Sequence, residues 1–192
     1  MNPRDAPPGT RKKCGDVKLV ELLKNKGEAI VDRWVEMIIA SYPDKTSAVL
    51  RNQKDQILNP VGHTIRRETA ALYAALLDGA EEAALADSMD NLIKIRAVQD
   101  YAPRQAMAFV FLLKSAVRQE LENDLTRNGF FPELLEFESR VDGLALLLFD
   151  RYMMCKQRIF EIRAMEARMR SAKLIEQVNK LYGDDKLPDD LV

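Results

Sequence analysis

Residues 132–183 read PELLEFESRVDGLALLLFDRYMMCKQRIFEIRAMEARMRSAKLIEQVNKLYG. After Pro132 no helix breaker occurs until Gly183, apart from an isolated Gly143 inside a strong apolar pattern. The stretch predicts one long helix, roughly 75 Å if straight, at about 1.5 Å per residue. A compact chain of this length has a radius of gyration of only about 16 Å. The far half of the helix is therefore expected to project from the body. Ile159, Ile162, Met165, Met169, Ala172, Ile175 and Val178 form a drifting apolar stripe along it, imperfect as a heptad but sufficient for a seam with a second helix. Methionine and alanine in that stripe point to an adaptable interface of moderate strength. From Asp150 to Lys180 the helix holds eight Lys/Arg against four Asp/Glu, a basic rod followed by an acidic tail over 184–192.

Upstream, the punctuation is regular. Asp16 can cap a first helix to about Ser41, with Val20, Leu23, Gly27, Ile30, Trp34 and Ile38 on one stripe. Gly27 in that stripe permits a close helix crossing, and Tyr42-Pro43 ends the helix. A polar helix follows over roughly 45–57. Asn59-Pro60 then starts a third helix as cap and first residue, and Gly79 stops it. Its apolar face is Val61, Ile65, Leu72 and Leu76. His63, Ala70, Ala74 and Leu77 lie opposite, which predicts burial on two sides. Asp87 is expected to cap a fourth helix over 88–100, and Ala102-Pro103 to open a fifth. Ala106–Leu113 is apolar all round and marks that fifth helix as central. Arg127-Asn128-Gly129 breaks it after Leu125. No strand alternation or internal repeat competes, so the fold class is all-α: about six helices with a projecting C-terminal extension. The expected division is a disordered leader over 1–15, a bundle over 16–157, an extension over 158–183 and an acidic tail over 184–192.

Composition narrows function mostly by exclusion. Across 192 residues, 29 Lys/Arg against 30 Asp/Glu give a net charge of −1, no basis for nucleic-acid binding. The polar leader is no secretory signal, and no apolar run approaches the about 18–20 residues that span a bilayer. Cys14 and Cys155 are too far apart in sequence and setting to suggest a disulfide framework, which favours a cytoplasmic protein. The single histidine removes most metal sites, and no Gly-rich phosphate loop, nucleophile elbow or His-x-x-x-His pair occurs. No catalytic residue, metal or cofactor is expected.

Two segments could bind something. In Asn59-Pro-Val-Gly-His63, the histidine near a helix N-terminus tends toward neutrality and could ligate haem, although obvious co-ligands are missing; the alternative is a packed side chain. In the second segment, Arg96 and Gln99 fall inside the apolar arc of Met89, Leu92, Ile93 and Ile95. A buried guanidinium needs a partner, and Asp100 lies four residues on. The readings are a polar cluster that binds a small anionic or polar signal, or an internal network locking two helices together. Trp34, Asn59, His63, Arg96, Gln99, Asp100 and Tyr101 are the candidate cluster.

LLKNKGEAIVDRWVEMIIASYP (22–43), NPVGHTIRRE (59–68) and IRAVQDYAPRQAMAFVFLLK (95–114) resemble the RsbRD N-terminal-domain family of RsbT co-antagonists, with agreement from about residue 20 to 160. The resemblance implies a sensory input module that passes a signal through its C-terminal helix. It also implies a globin-like, haem-free and dimeric bundle. The sequence departs from the family's co-antagonists in that nine residues follow Gly183, with no STAS domain, so direct RsbT antagonism is not expected. The last helix is then left to dimerise or to bind a separate protein. The competing readings are an adaptor subunit of a larger, membrane-bound redox complex and a haem or small-ligand carrier using His63.

Overall fold

The computed structural model describes residues 18–52, 57–99 and 101–182. The expected leader, the Asp16 cap, Asp100 and the acidic tail lie outside them. Among the described residues there are eight helices and no strand. They are α1 (Leu19–Asn25), α2 (Gly27–Ala40), α3 (Asp44–Asn52), α4 (Pro60–Asp78), α5 (Glu82–Val98), α6 (Pro103–Glu120), α7 (Glu122–Asn128) and α8 (Phe131–Tyr182). Helix α2 packs between α4 and α6, and α8 lies across α5 and α6. Trp34, Ile30, Leu72, Val110, Phe137 and Tyr152 fill the space between them.

Three boundaries differ from expectation, each for a local reason. The first helix breaks at Lys26, whose backbone leaves the helical region. Tyr73 Oη donates to the carbonyl of Leu23 at 2.9 Å beside the break. A Cβ on Gly27 would sit 3.3 Å from the Tyr73 ring, so the bare glycine does permit the close crossing of α2 with α4. Lys26 Nζ reaches out of the break to Asp124 and to the carbonyl of Glu120, both at 2.9 Å. The expected fifth helix divides at Leu121, so α6 and α7 replace one element. Helix α5 begins at Glu82, not near Ser88, because Glu-Ala-Ala-Leu-Ala is a run of strong helix formers.

Helix α4 follows its sequence cues closely, except in its second buried face. Asn59 Oδ1 accepts from the amide of Gly62 at 2.9 Å, Pro60 is the first helical residue, and Gly79 takes the left-handed conformation (φ 66°) that stops the helix. Ala70 and Ala74 are exposed, however, and the second buried face is Glu68, Thr69 and Tyr73. Gly62 lies under the cap. A Cβ there would overlap the Asn59 side chain, 2.7 Å from Oδ1 and 2.8 Å from Cγ, and Asn59 Nδ2 is fixed by donating to the carbonyl of Leu50 at 3.0 Å. Alanine for glycine inside a helix normally stabilises by about 0.5–1 kcal/mol. Here the sign is expected to reverse: Gly62→Ala displaces the cap and lowers stability by about 1–2 kcal/mol, read from urea unfolding.

Ion pairs with at most one buried partner tie the elements together. Arg118 Nε and Nη2 donate to the two oxygens of buried Glu138 at 2.7 Å each, pinning α6 to α8. Arg151 of α8 reaches Asp90 of α5 at 2.9 Å. Between α4 and α5, Glu68 accepts from Arg67 and from Asn91 Nδ2, the latter at 3.0 Å. Burial alone would raise the pKa of Glu68, but hydrogen bonds from Arg67, Ser88 and Asn91 outweigh it and hold the carboxyl below its ordinary value. A depressed carboxyl stabilises the fold above its unfolded pKa, and that contribution is lost as pH falls through the lower folded value. The urea midpoint should therefore drop on acidification between roughly pH 5 and pH 3, and Glu68→Gln should flatten that limb.

Helix α8 is continuous through all 52 residues, including Gly143, where an added Cβ would meet nothing within 4 Å. Its last fully buried residue is Tyr152. Ile159 is half-buried against the core, and almost every residue beyond it is exposed.

Candidate functional site

The residue that organises the candidate site is Arg96, in the last turn of α5. Its neighbours Met89, Leu92, Ile93 and Ala97 face the core, and the same arc carries the guanidinium inward, leaving the residue 4% exposed. The guanidinium carbon lies 4.7 Å from the ring centre of Tyr42, 5.3 Å from Phe109 and 6.0 Å from Tyr101. Tyr42 and Tyr101 meet edge to face at 6.2 Å. The positive group is thus surrounded by the negative faces of aromatic rings, each contact worth up to about 2 kcal/mol when desolvated. Among the described residues no carboxylate pairs with it, and Nη2 has no hydrogen-bond partner. Burial pulls the Arg96 pKa below the ordinary arginine value, and the neighbouring Tyr42 and Tyr101 oppose that pull.

Two more polar atoms around the guanidinium are left over. The hydroxyl of Tyr42 and Oε1 of Gln99 are buried without hydrogen-bond partners. Burial raises the Tyr42 pKa, partly offset by the charge of Arg96 and by the Gln99 amide beside the hydroxyl. Tyr42 arrives from the end of α2, where Pro43 turns the chain. Phe109 arrives from α6, whose N-terminus is fixed by the Gln105 side chain accepting from the Ala102 amide at 3.1 Å.

Helix α8 grips the same segment from its other side. Tyr152 Oη donates to the carbonyl of Tyr101 at 3.4 Å, and Lys156 Nζ to the carbonyl of Ala97 at 3.3 Å. Those two carbonyls bracket Gln99. Burial raises the pKa of Tyr152, so its hydroxyl remains a donor through the neutral range.

Of the residues named from the sequence, Arg96, Gln99 and Tyr101 come together. Trp34 joins them at one remove, its indole Nε1 donating to the carbonyl of Phe109 at 2.7 Å. Asn59 is used as the cap of α4, and none of the contacts of Arg96 is to Asn59 or His63. His63 is half-buried one turn into α4. Among the described residues no group of three His, Cys, Asp or Glu is placed to hold a metal ion, and Cys155 is a free thiol. Tyr42, Phe109, Tyr152 and Lys156 were not singled out by sequence. The signal for Tyr152 was present as a hydroxyl on the apolar period Val141, Leu144, Leu148. Tyr42 read only as the residue before a proline.

The model of the RsbT co-antagonist protein rsbRD N-terminal domain matches residues 28–167. The chain belongs to that family. The match runs from the first turn of α2 into the exposed part of α8, so this RsbRD N-terminal domain includes the whole ring-lined site and its link to α8. Neither the curated proteins nor the solved structures contain a match to the chain. No helix among the described residues is long and apolar enough to cross a membrane.

Proposed function

We propose that the protein is a non-enzymatic, cytoplasmic sensory or regulatory module. In this reading residues 16–157 form a haem-free, globin-like bundle that holds the signal, and residues 158–183 form an arm that associates with a second copy or with a separate protein. Family membership supports the signalling role. The observation that carries the association is the apolar stripe left in solvent on α8. Ile162, Met165, Met169 and Ile175 are 48%, 64%, 62% and 55% exposed, a run that a solitary helix does not need. Phe160, Met153, Phe149 and Leu146 are also exposed but lie on the opposite side of α8, two residues out of step with Ile162, so the stripe beyond Ile159 is a face of its own. Association along this face would remove it from water and would hold two copies of α8 side by side.

Light scattering of the full chain beside a chain ending at Gln157 tests the reading. A mass of two chains that falls to one on truncation supports it. A single-chain mass for the full protein rejects homodimerisation, and an unchanged dimer rejects the arm.

A further inference from the structure

We propose that Arg96 anchors a buried binding site for a small organic carboxylate, which would accept from Nη2 of Arg96 and from the Tyr42 hydroxyl while a hydroxyl or amino group of the same ligand donates to Gln99 Oε1. The site lies apart from the arm, so it goes beyond the association just described.

A guanidinium taken out of water without an anion is costly to keep, and the fold keeps this one 4% exposed with no carboxylate beside it among the described residues. Stability alone would favour methionine or leucine at that position. The unpaired groups around it are complementary to one kind of guest. The Tyr42 and Phe109 rings approach the guanidinium at 4.7 and 5.3 Å, and its free hydrogen-bonding group is Nη2. A planar pair of oxygens can take one hydrogen bond from Nη2 and one from the Tyr42 hydroxyl. A monoanion neutralises a single cation, whereas a phosphate dianion would leave a buried negative charge. Chloride would neutralise it too, but offers no donor to Gln99 Oε1. The surrounding rings suit a short apolar body.

Occupancy would be felt by α8. Tyr152 and Lys156 hold the carbonyls of Tyr101 and Ala97, the backbone on either side of Gln99. A ligand that repositions Gln99 therefore biases the root of the arm, which is the differential contact that a population shift requires.

The test is thermal unfolding and calorimetric titration of the full chain with sodium lactate, acetate, phosphate and chloride at constant ionic strength. Lactate is expected to bind saturably and to raise the melting temperature by several degrees, with acetate weaker. Phosphate and chloride should add nothing beyond ionic strength. Arg96→Met should abolish the response while melting at or above the temperature of the unliganded parent. Tyr42→Phe keeps the ring under the guanidinium and should weaken lactate about ten-fold or more. Binding of phosphate or chloride alone overturns the carboxylate assignment. Absence of any carboxylate response in the parent chain, with Arg96→Met melting lower, overturns the site, because Arg96 then serves only to hold three rings together.

Discussion

Trp34→Ala is expected to destabilise the bundle by about 3–5 kcal/mol, the range for truncating a large aromatic in a core. Trp34 is wholly buried in α2, between α4 and α6, and its indole donates to the carbonyl of Phe109 at 2.7 Å. Alanine removes both the ring and the donor, and the surrounding Ile30, Ile38 and Val110 cannot close the space without moving whole helices. Domains of this size have about 5–15 kcal/mol in total, so the variant should lose most of its cooperative transition in urea. Trp34→Phe separates the two contributions. It keeps much of the apolar volume and loses the hydrogen bond, so a smaller loss of about 1–2 kcal/mol is expected. Equal losses in the two variants would mean that the indole N–H, not the packing, dominates. Because Phe109 also lies under Arg96, Trp34→Phe should loosen the ring-lined site as well as the helix pair.

Ending the chain after Gln157 is expected to change association strongly and the bundle little. The fully buried part of α8 finishes at Tyr152, and Ile159 is the only stripe residue that rests partly on the core. Losing half of one isoleucine's burial costs about 1 kcal/mol. The melting temperature should therefore fall by only a few degrees. Removing Ile162 to Val178, by contrast, deletes the whole free apolar seam, and a dimer built on it should dissociate at least about a hundred-fold more readily, equivalent to about 2.7 kcal/mol. Sedimentation velocity over a concentration series reads that change directly. A truncated chain with the association constant of the full chain would place the contact on the bundle instead, along Leu146, Phe149 and Met153.

The fold was largely legible because its helix ends carry chemistry that acts locally. Asn59, Pro60 and Gly79 set the ends of α4 through residue types that act within a few positions, and Pro103 and Gly129 bound the α6–α7 segment in the same way. The misread ends are those governed by distant residues. The break at Lys26 depends on Tyr73, which is 50 residues from the carbonyl it caps, and no helical period reveals such a contact. The uncovered Ala70 and Ala74 fail for a related reason: alanine is as compatible with solvent as with a core, so its spacing does not say which side is packed.

At the site, Arg96 and Gln99 were legible as polar residues on an apolar arc, because the burial of an arc is a property of one helix. Their companions Tyr42 and Phe109 were not, since they come from two other helices and each looks ordinary where it stands. His63 and Asn59 attracted notice through a motif whose role is now plain for Asn59, which caps a helix against a glycine that leaves it room.

The uninterrupted ladder of α8 has a mechanical consequence. From Tyr152 to Tyr182 the helix runs on for about 45 Å without a hinge at which a bend could be absorbed. A tilt of only about 5° at Tyr152, well within the give of two hydrogen bonds to Tyr101 and Ala97, would carry the tip through roughly 4 Å. That is about three-quarters of one helical turn of roughly 5.4 Å. A sub-ångström adjustment beside Arg96 can thus become, at the far end, a change of which side chains meet.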